Sequence, residues 1–270
     1  MNKLRSAFLC AFALLACTGI SHAAEDLSPI PKVADEWRFE LTPYLWGSGV
    51  KSTLNFDNRY VKTADLSTND VLSNLKTGAM IAGEAHYGSW GVMADFISAT
   101  LQKSGDIPVT IPTRKDGDVR AKIGNTGTLQ NTIFTAAVTY TALNNKDAYL
   151  DGLLGFRTIS STASMALNVV GTPVTLNTSQ TTTTTDPVVG LKGRYRIADS
   201  TWYVPFYGDI GSGGGTTNLT WQAMLGVGKT FAKWVDVSLT YRTLYYDMNG
   251  GCLLQKTTFQ GPQLAATFNF

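Results

Sequence analysis

The sequence predicts an all-β protein that forms a closed, antiparallel, up-and-down transmembrane β-barrel of about ten strands, with eight or twelve strands as alternatives. Three observations predict this fold class. Polar and apolar residues alternate over long segments, short and long connections alternate between those segments, and tryptophans lie near the segment ends. Alternation with period two is typical of strands, and alternating turn and loop lengths are typical of outer-membrane barrels.

The first 23 residues have the composition of a secretory signal peptide. Two basic residues precede an apolar run over about 7–20, and a small-residue cleavage site follows. The run is too short for a spanning helix. A lipoprotein signal, with Cys17 as the lipidated N-terminus, is the alternative. We therefore expect residues 1–23 to be removed, residues 24–35 to form a periplasmic linker, and residues 36–270 to form the barrel.

Ten segments with period two follow along the chain. They are 36–47, 75–87, 90–102, 128–142, 147–160, 187–197, 201–211, 218–231, 234–247 and 256–270. Most are longer than the five or six residues that are usual in globular sheets. A tilted strand needs about 9 to 11 residues to cross a bilayer, so these lengths favour a membrane barrel.

The connections alternate in length. Four are short, at 87–90, 144–147, 197–200 and 231–234, and five are longer and polar, at 48–74, 103–127, 161–186, 212–217 and 248–255. We interpret the threonine run 181–185 as low-complexity loop material. Four turns and five loops join ten strands and place both termini on the short-turn side, which is the periplasmic side in such barrels.

Some residues do not fit a simple ten-strand count. Pro43 and Pro205 lie inside predicted strands, where a missing N–H interrupts the pairing, and we interpret them as bulges. Residues 51–67 predict a further hairpin outside the ten strands. Residues 69–75 predict one helical turn with Asn69 as its N-cap. We expect the hairpin and the helix above the membrane or in the barrel mouth.

The tryptophans indicate two interfacial girdles. Four lie at segment ends on the short-turn side (Trp37, Trp90, Trp202 and Trp234) and two lie toward the long loops (Trp46 and Trp221). An indole at an interface keeps its polar edge wet and its body in lipid. A soluble core is the alternative location for these rings.

The two faces of the segments differ in charge. Residues such as Leu41, Phe96 and Leu154 make one face apolar. The opposite face carries six bases and six acids, which are Arg38, Arg157, Lys192, Arg194, Arg196, Arg242, Glu40, Glu84, Asp95, Asp151, Asp209 and Asp236. In a membrane barrel these charges face a narrow lumen, where opposite charges from facing strands pair. We therefore predict a polar, charge-paired and largely occluded lumen.

Composition excludes several functional classes. The chain is 44% hydrophobic and 16% charged, and without the predicted signal it has 20 basic and 20 acidic residues, so nothing favours nucleic acid as a partner. Outside the signal, one histidine (His86) and one cysteine (Cys252) remain, too few for a zinc site or a disulfide framework. There is no phosphate-binding loop, and we expect no metal or cofactor.

Several stretches resemble Gram-negative outer-membrane barrel proteins in the broad superfamily of the transmembrane domain of outer membrane protein A. These stretches are 42–50 (TPYLWGSGV), 71–96, 186–199 (DPVVGLKGRYRIAD), 207–214 (YGDIGSGG), 219–231 (LTWQAMLGVGKTF), 237–248 (VSLTYRTLYYDM) and 261–270 (GPQLAATFNF). The resemblance implies insertion by the barrel assembly machinery, which reads a last strand ending in phenylalanine. Phe268 and Phe270 match that signal. The resemblance implies no activity.

Three functions are compatible with these features. The first is a non-enzymatic envelope protein in the outer membrane of a Gram-negative bacterium, either structural or a small passive pore, in contact with outer-membrane lipids and lipopolysaccharide. The second is recognition by the outside loops, as in an adhesin or receptor, where the basic excess in 103–127 meets lipopolysaccharide phosphates. The third and weakest is a hydrolase or lipid-modifying enzyme with His86 as its base. We expect no enzyme, because ion pairing explains the acids and a hydrogen bond explains His86 more simply.

Overall fold

The computed structural model describes residues 27–56, 60–111, 119–169, 175–213, 217–248 and 254–270. The predicted signal peptide, the tip of the predicted hairpin at 57–59 and Cys252 lie outside these residues. Within the described ranges no helix is long and apolar enough to cross a membrane.

Twelve strands and one helix make up the described chain. The strands are β1 (Trp37–Trp46), β2 (Gly49–Phe56), β3 (Tyr60–Leu66), β4 (Leu75–Tyr87), β5 (Trp90–Ile111), β6 (Val119–Asn144), β7 (Ala148–Val169), β8 (Thr175–Arg196), β9 (Trp202–Gly211), β10 (Thr217–Ala232), β11 (Val235–Met248) and β12 (Leu254–Asn269). The helix, α1, is Thr68–Asn74 and lies between β3 and β4.

Ten of the strands close into a ring. The order is β1, β4 and then β5 to β12 in sequence, and β12 pairs back with β1; every pairing is antiparallel. Glu40 lies opposite Asn269 at this closure, and the backbone N–H of Phe270 donates to the carbonyl of Phe39 at 2.9 Å. The predicted closed antiparallel barrel of ten strands is confirmed.

Strands β2 and β3 form the predicted extra hairpin. β2 continues beyond β1 after a break at residues 47–48 and pairs with the first half of β12, while β3 pairs with β2. Helix α1 then leads into β4. We call the end of the barrel with the short connections the turn end and the opposite end, which carries this hairpin and helix, the loop end.

The predicted cap of the helix was wrong. Ser67 is the N-cap, and its side chain accepts a hydrogen bond from the backbone N–H of Asp70, while the Asp70 carboxylate accepts from the backbone N–H of Ser67. This reciprocal pair requires an acceptor three residues after the cap, which Ser67 has in Asp70. The hydrogen bonds from the Ser67 hydroxyl and backbone also lower the pKa of the Asp70 carboxyl below its usual value.

The outward face carries a continuous apolar band. It covers about nine residues of each strand from the turn end, and its most exposed members include Leu45, Leu154, Val189, Leu225 and Leu239, at 54–70% exposure. A band of that height matches the hydrocarbon core that tilted strands cross. The sequence alternation therefore separates an apolar exterior from an interior that carries the charged side chains.

Two predicted loops are largely strands. Strands β5 to β8 extend far past the apolar band at the loop end, so that most of the predicted loops at 103–127 and 161–186 belong to two tall hairpins. The threonine run 181–185 lies within β8. Threonine is a β-branched residue that favours strands, and here it pairs with hydroxyls across the ladder, so its low complexity was a misleading signal. We call this projecting four-stranded region the tall wall.

Pro43 and Pro205, which the sequence predicts inside strands, lie where pairing with one neighbouring strand is interrupted. β1 pairs continuously with β4 through Pro43, but its register with β12 passes from Leu41 to Tyr44 without partners between. Pro205 pairs with β8, while the β9–β10 register skips from Phe206 to Tyr203. Each proline is thus paired with one neighbouring strand and unpaired with the other. Its missing N–H therefore interrupts only one of the two ladders.

Candidate functional site

The lumen contains a large group of acidic and basic side chains, and its first charged layer lies near the turn end. Arg194 on β8 bridges two acids, with its guanidinium nitrogens 3.3 Å from a Glu40 carboxylate oxygen and 2.8 Å from one of Asp236. Arg38 lies 3.4 Å from the other Glu40 oxygen. These residues come from β1, β8 and β11, so the pairs cross the interior.

A second set of charges continues this layer. Lys192 contacts Glu84 and lies 3.6 Å from Asp151, and the Glu84 carboxylate is 3.2 Å from Nε2 of His86. The hydroxyl of Tyr149 donates to Asp151 at 2.6 Å, and Arg38 donates to that hydroxyl at 3.2 Å. Tyr149 thus connects the two sets into one network around the turn end of the lumen.

A third set of charges lies closer to the loop end. Arg242 on β11 and Asp95 on β5 form a pair at 2.6 Å, and Tyr44 donates to the same carboxylate at 2.5 Å. Gln222 and Gln263 accept further hydrogen bonds from the guanidinium at 2.8 and 3.3 Å. The Arg242 guanidinium also lies over the Trp46 ring, 5.0 Å from its centroid, so this cation is held by groups from several strands.

Arg157 and Asp209 form a fourth, fully buried pair, with 0% exposure for both side chains. Tyr207 donates to the same Asp209 oxygen at 2.5 Å, and Arg157 donates to the hydroxyls of Thr135 and Thr220 at 3.2 Å each. The two opposite charges offset each other within the wall of the lumen, and both hydrogen bonds to the carboxylate go to one of its oxygens.

A cavity of about 150 Å³ separates the charged layers. Its lining includes Glu84, Lys192 and Arg194 on the turn side and Asp95 and Arg242 on the loop side. This volume has room for a few water molecules, which polar walls of this kind favour.

An apolar layer fills the lumen at the loop end. Its buried members are Tyr44, Trp46, Val50, Val71, Ile97, Leu101, Ile133, Ile159, Leu244, Tyr246, Met248, Phe259 and Ala265. Val71 is the contribution of helix α1, which places the helix against the mouth of the barrel. The predicted polar lumen is therefore polar near the turn end and in the middle, and apolar near the loop end.

The predicted periplasmic linker packs against the barrel. Residues 27–36, which we call the strap, lie across the turn end, where Ile30 is 6% exposed. Arg38 donates to the carbonyl of Lys32 at 3.0 Å, Asn144 donates to that of Pro31 at 2.8 Å, and Arg194 donates to that of Pro29 at 3.4 Å. Two arginines of the lumen network thus hold the strap in place. The part of the linker that the structure describes therefore covers the turn end of the barrel.

The structure places all twelve predicted lumen charges on the inward face, and eleven of them join the pairs above. Arg196 lies at the turn end, where its Nε donates to the carbonyl of Ser200 at 2.8 Å and holds the β8–β9 turn. Sequence reasoning missed Asp186, which is fully buried on β8 opposite Arg157. It also missed Tyr149 and Tyr207, each two residues before a predicted acid and therefore on the same face of its strand.

The tryptophans separate into two groups. Trp37, Trp90, Trp202 and Trp234 point outward at the turn end and are 45–62% exposed. At the loop end, Trp221 stacks on Tyr245 with ring centroids 6.0 Å apart. The prediction for Trp46 was wrong: its side chain points inward, is 5% exposed, and donates through Nε1 to the carbonyl of Gly261 at 3.2 Å.

The arrangement does not bring His86 to a site that suits hydrolysis. The residue lies at the turn end, opposite Gly91 and beside the β4–β5 turn, with 2% exposure. Its acid neighbour Glu84 is engaged by Lys192. In the part of the chain that the structure describes, no group of three or more histidine, cysteine or acidic residues is placed to hold a metal ion.

Comparisons with known proteins identify the fold. No protein-family model and no curated protein matches the sequence. Among solved structures, the outer membrane protease OmpT from Escherichia coli is similar with a TM-score of 0.54 and 9% identity, over 87% of this chain and 97% of that chain. Ail, the attachment invasion locus protein of Yersinia pestis, gives 0.34 and 12%, over 88% and 100%. The translocator domain of autotransporter NalP from Neisseria meningitidis gives 0.37 and 14%, over 99% and 95%.

The similarity to OmpT shows that this chain has the fold of Gram-negative outer-membrane β-barrels, which confirms the general class predicted from the sequence. The narrower superfamily stays a prediction. At 9% identity the similarity carries the fold and no activity.

Proposed function

We propose that this protein is a structural, non-conducting β-barrel of the Gram-negative outer membrane. The observation that supports this most directly is that the chain's own residues close the lumen at both ends. The strap covers the turn end, and the apolar layer with Val71 of α1 fills the loop end. Between them, the charges are paired with one another and leave a cavity of about 150 Å³.

The apolar layer is the stronger barrier to ions. A passing ion exchanges its hydration shell for polar ligands, as in selectivity filters, or keeps its water in a wide channel. Ile97, Ile159 and Leu244 offer neither polar ligands nor room for water, since they are at most 4% exposed within the barrel. A dry constriction of this kind blocks conduction, and this favours the structural version of the prediction over the passive pore.

The proposal includes the surroundings of the barrel. The apolar band contacts membrane lipid, and the lipopolysaccharide leaflet lies at the loop end. Insertion by the barrel assembly machinery, with Phe268 and Phe270 as the signal, belongs to the same proposal. We propose no enzymatic activity, because His86 lies at the turn end with its neighbouring acid held by Lys192.

Single-channel recording tests the proposal. The purified protein, refolded in detergent and added to a planar bilayer, is expected to give no discrete current steps, while a general-diffusion porin treated in the same way gives them. Refolding is checked by migration of the unheated protein on a denaturing gel. Reproducible current steps from folded protein would overturn the non-conducting assignment and restore the passive pore.

Recognition outside the membrane is the second candidate, and the tall wall favours it. Strands β5 to β8 project past the apolar band, although a barrel needs no such extension to span a bilayer. Deleting residues 105–125 removes the tip of the β5–β6 hairpin. If folding is retained and attachment to a surface or phage is lost, recognition is the function and the closed lumen is its anchor.

A further inference from the structure

The tall wall presents a regular uncharged face on its outward side. Three rows of four side chains cross β5, β6, β7 and β8 in register, directly beyond the apolar band. We call these twelve residues the hydroxyl face: Ser98, Thr132, Ser160 and Thr183; Thr100, Gln130, Thr162 and Thr181; Gln102, Thr128, Ser164 and Ser179. Ten of them carry hydroxyls, two carry amides, and none is charged.

Cross-strand hydrogen bonds between β7 and β8 hold six of the ten hydroxyls in place. The hydroxyl oxygens of Ser160 and Thr183 are 3.0 Å apart, those of Thr162 and Thr181 are 2.9 Å apart, and those of Ser164 and Ser179 are 3.0 Å apart. A hydroxyl has one donor and two acceptor sites, so each pair keeps one free donor and further acceptor capacity. Because threonine is stiff about χ1, Thr162, Thr181 and Thr183 are ordered before any ligand arrives.

The size and spacing of the face are set by the sheet. Rows two residues apart along a strand are separated by about 6.7 Å, and neighbouring strands by about 4.8 Å, so the face covers about 14 Å by 14 Å. Each row offers hydroxyls to a ligand that runs across the strands. The face is therefore large enough for a short oligomer and too small for a stable protein interface.

The chemistry of the face selects among ligands. Phosphate and sulfate groups are bound by arginine and lysine, which the face lacks. Acyl chains and hydrophobic protein patches require apolar surface, which it also lacks. A neutral sugar presents alternating hydroxyl donors and acceptors, which is the complement of this array.

The position of the face selects the source of that sugar. The row next below it toward the turn end contains Phe96 and Phe134, which belong to the apolar band. A ligand on the hydroxyl face therefore lies immediately outside the lipid. We propose that the hydroxyl face binds the neutral oligosaccharide of a glycolipid in the surrounding outer leaflet; this rests on the proposed outer-membrane location.

The test uses the folded protein in phospholipid nanodiscs and two probes. One is purified lipopolysaccharide with a neutral O-polysaccharide, and the other is its deep-rough truncation, which keeps the phosphates and lacks the neutral sugars. Binding is measured by biolayer interferometry. The disruptive variant is Thr128→Val/Thr162→Val/Thr181→Val/Thr183→Val, because valine keeps the shape and the β-branch of threonine and removes the hydroxyl.

Two controls accompany this variant. Thr162→Ser/Thr181→Ser keeps the hydroxyls, and Thr243→Val/Thr258→Val removes hydroxyls from the outward face of β11 and β12, away from the tall wall. We expect the wild type and both controls to bind the intact glycolipid alike, and the disruptive variant to bind at least tenfold more weakly. The truncated glycolipid is expected to bind all four proteins equally and more weakly.

Three results would overturn the inference. The first is that the disruptive variant binds the intact glycolipid as well as the wild type does. The second is that the wild type binds the intact and the truncated glycolipid equally, which would indicate phosphate recognition elsewhere. The third is that the wild type sediments as a dimer in detergent and the variant as a monomer, which assigns the face to a second copy of the chain. Absence of the protein from the outer-membrane fraction of cells, in contrast, would contradict the proposed function and not the chemistry of the face.

Discussion

Arg157 and Asp209 are completely buried, yet each keeps several polar partners inside the wall of the barrel. The carboxylate receives Arg157 and the Tyr207 hydroxyl, and the guanidinium also reaches Thr135 and Thr220. Removing an ion from water is costly, and the attraction between partners offsets that cost only if the hydrogen bonds are made. The pair is therefore sensitive to the loss of either member.

Loss of one partner is expected to destabilise the barrel strongly. Arg157→Met leaves the Asp209 carboxylate buried without its cation, and we expect it to lower the free energy of unfolding by about 3–5 kcal/mol. The double variant Arg157→Met/Asp209→Leu removes both members of the pair and is expected to lose less, while Asp186 stays buried opposite position 157. Urea unfolding of protein folded into phospholipid vesicles measures both values.

The exposed pair of Lys51 and Asp65 supplies the control. Their side chains are 65% and 69% exposed, with 3.8 Å between nitrogen and oxygen. A surface pair of this kind contributes at most about 1 kcal/mol, so Lys51→Met is expected to change stability little. A double variant as unstable as Arg157→Met alone would contradict the role of pairing.

At the scale of residues, the alternation with period two correctly predicts whether a strand side chain points into the lumen or outward. Trp46 lies in the same phase as Arg38 and Glu40, so the alternation alone places it inside, where the structure has it. The girdle prediction used its position along the strand instead and was wrong. Asp186 is missed because the threonine run before it predicts a loop, so that the predicted strand begins at residue 187, one residue after this acid.

At the scale of elements, helix α1 is short, and its start depends on a single capping box. It has seven residues, and a capping box at Ser67 and Asp70 starts it. Its buried residue Val71 joins the apolar layer of the lumen. The capping box positions helix α1, and the helix places Val71 in the apolar layer. The cap therefore contributes to the closure of the loop end.

The helix is expected to loosen in acid. The pKa of Asp70 is lowered in the folded chain, first by the Ser67 hydroxyl and then by the Ser67 backbone N–H. A group with a lowered folded pKa stabilises above the ordinary aspartate pKa of about 3.9, and that stabilisation is lost as the pH falls through the folded value. We expect protection of the Val71 amide, which donates to the Ser67 carbonyl at 3.0 Å, to fall between pH 5 and pH 2.5.

Hydrogen exchange followed by NMR in detergent micelles measures this protection after correction for the intrinsic exchange rate. The variant Asp70→Asn keeps an acceptor at the same position but does not titrate, so its protection factor should be the same at both pH values. Equal acid loss in the variant would assign the change to another part of the barrel.

Element boundaries inside the membrane were predictable, and those outside it were not. Strand β4 was predicted at its observed bounds, and β1 and β9 to within one residue. The lipid-facing side of each strand has to be apolar, which produces a strong alternation over the membrane. Past the apolar band the outward side of the tall wall no longer faces lipid and is polar, so β5 to β8 lose that alternation and resemble polar loops in sequence.

At the scale of the whole molecule, the barrel has three zones along its axis. The strap and a charged network close the turn end, a small polar cavity lies in the middle, and an apolar layer closes the loop end. Outside, the apolar band ends where the hydroxyl face of the tall wall begins. The apolar band on the outside of the barrel fixes the position of the membrane. This position can therefore be tested without any assumption about the lumen.

Two arginine substitutions on the outward face of β7 test that position. Leu154 is 67% exposed and lies in the apolar band, while Thr162 lies eight residues farther along the same face, in the tall wall. An arginine facing lipid near the middle of a bilayer costs about 2–4 kcal/mol, and the cost falls to nearly zero near the interface. We expect Leu154→Arg to lower stability in phospholipid vesicles by that amount and Thr162→Arg to leave it unchanged.

The stability of both variants is measured by urea unfolding, with Leu154→Ala to separate the loss of leucine from the gain of charge. Equal effects of the two arginines would mean that lipid does not contact the apolar band, and an outward face that tolerates Leu154→Arg would be a face in water.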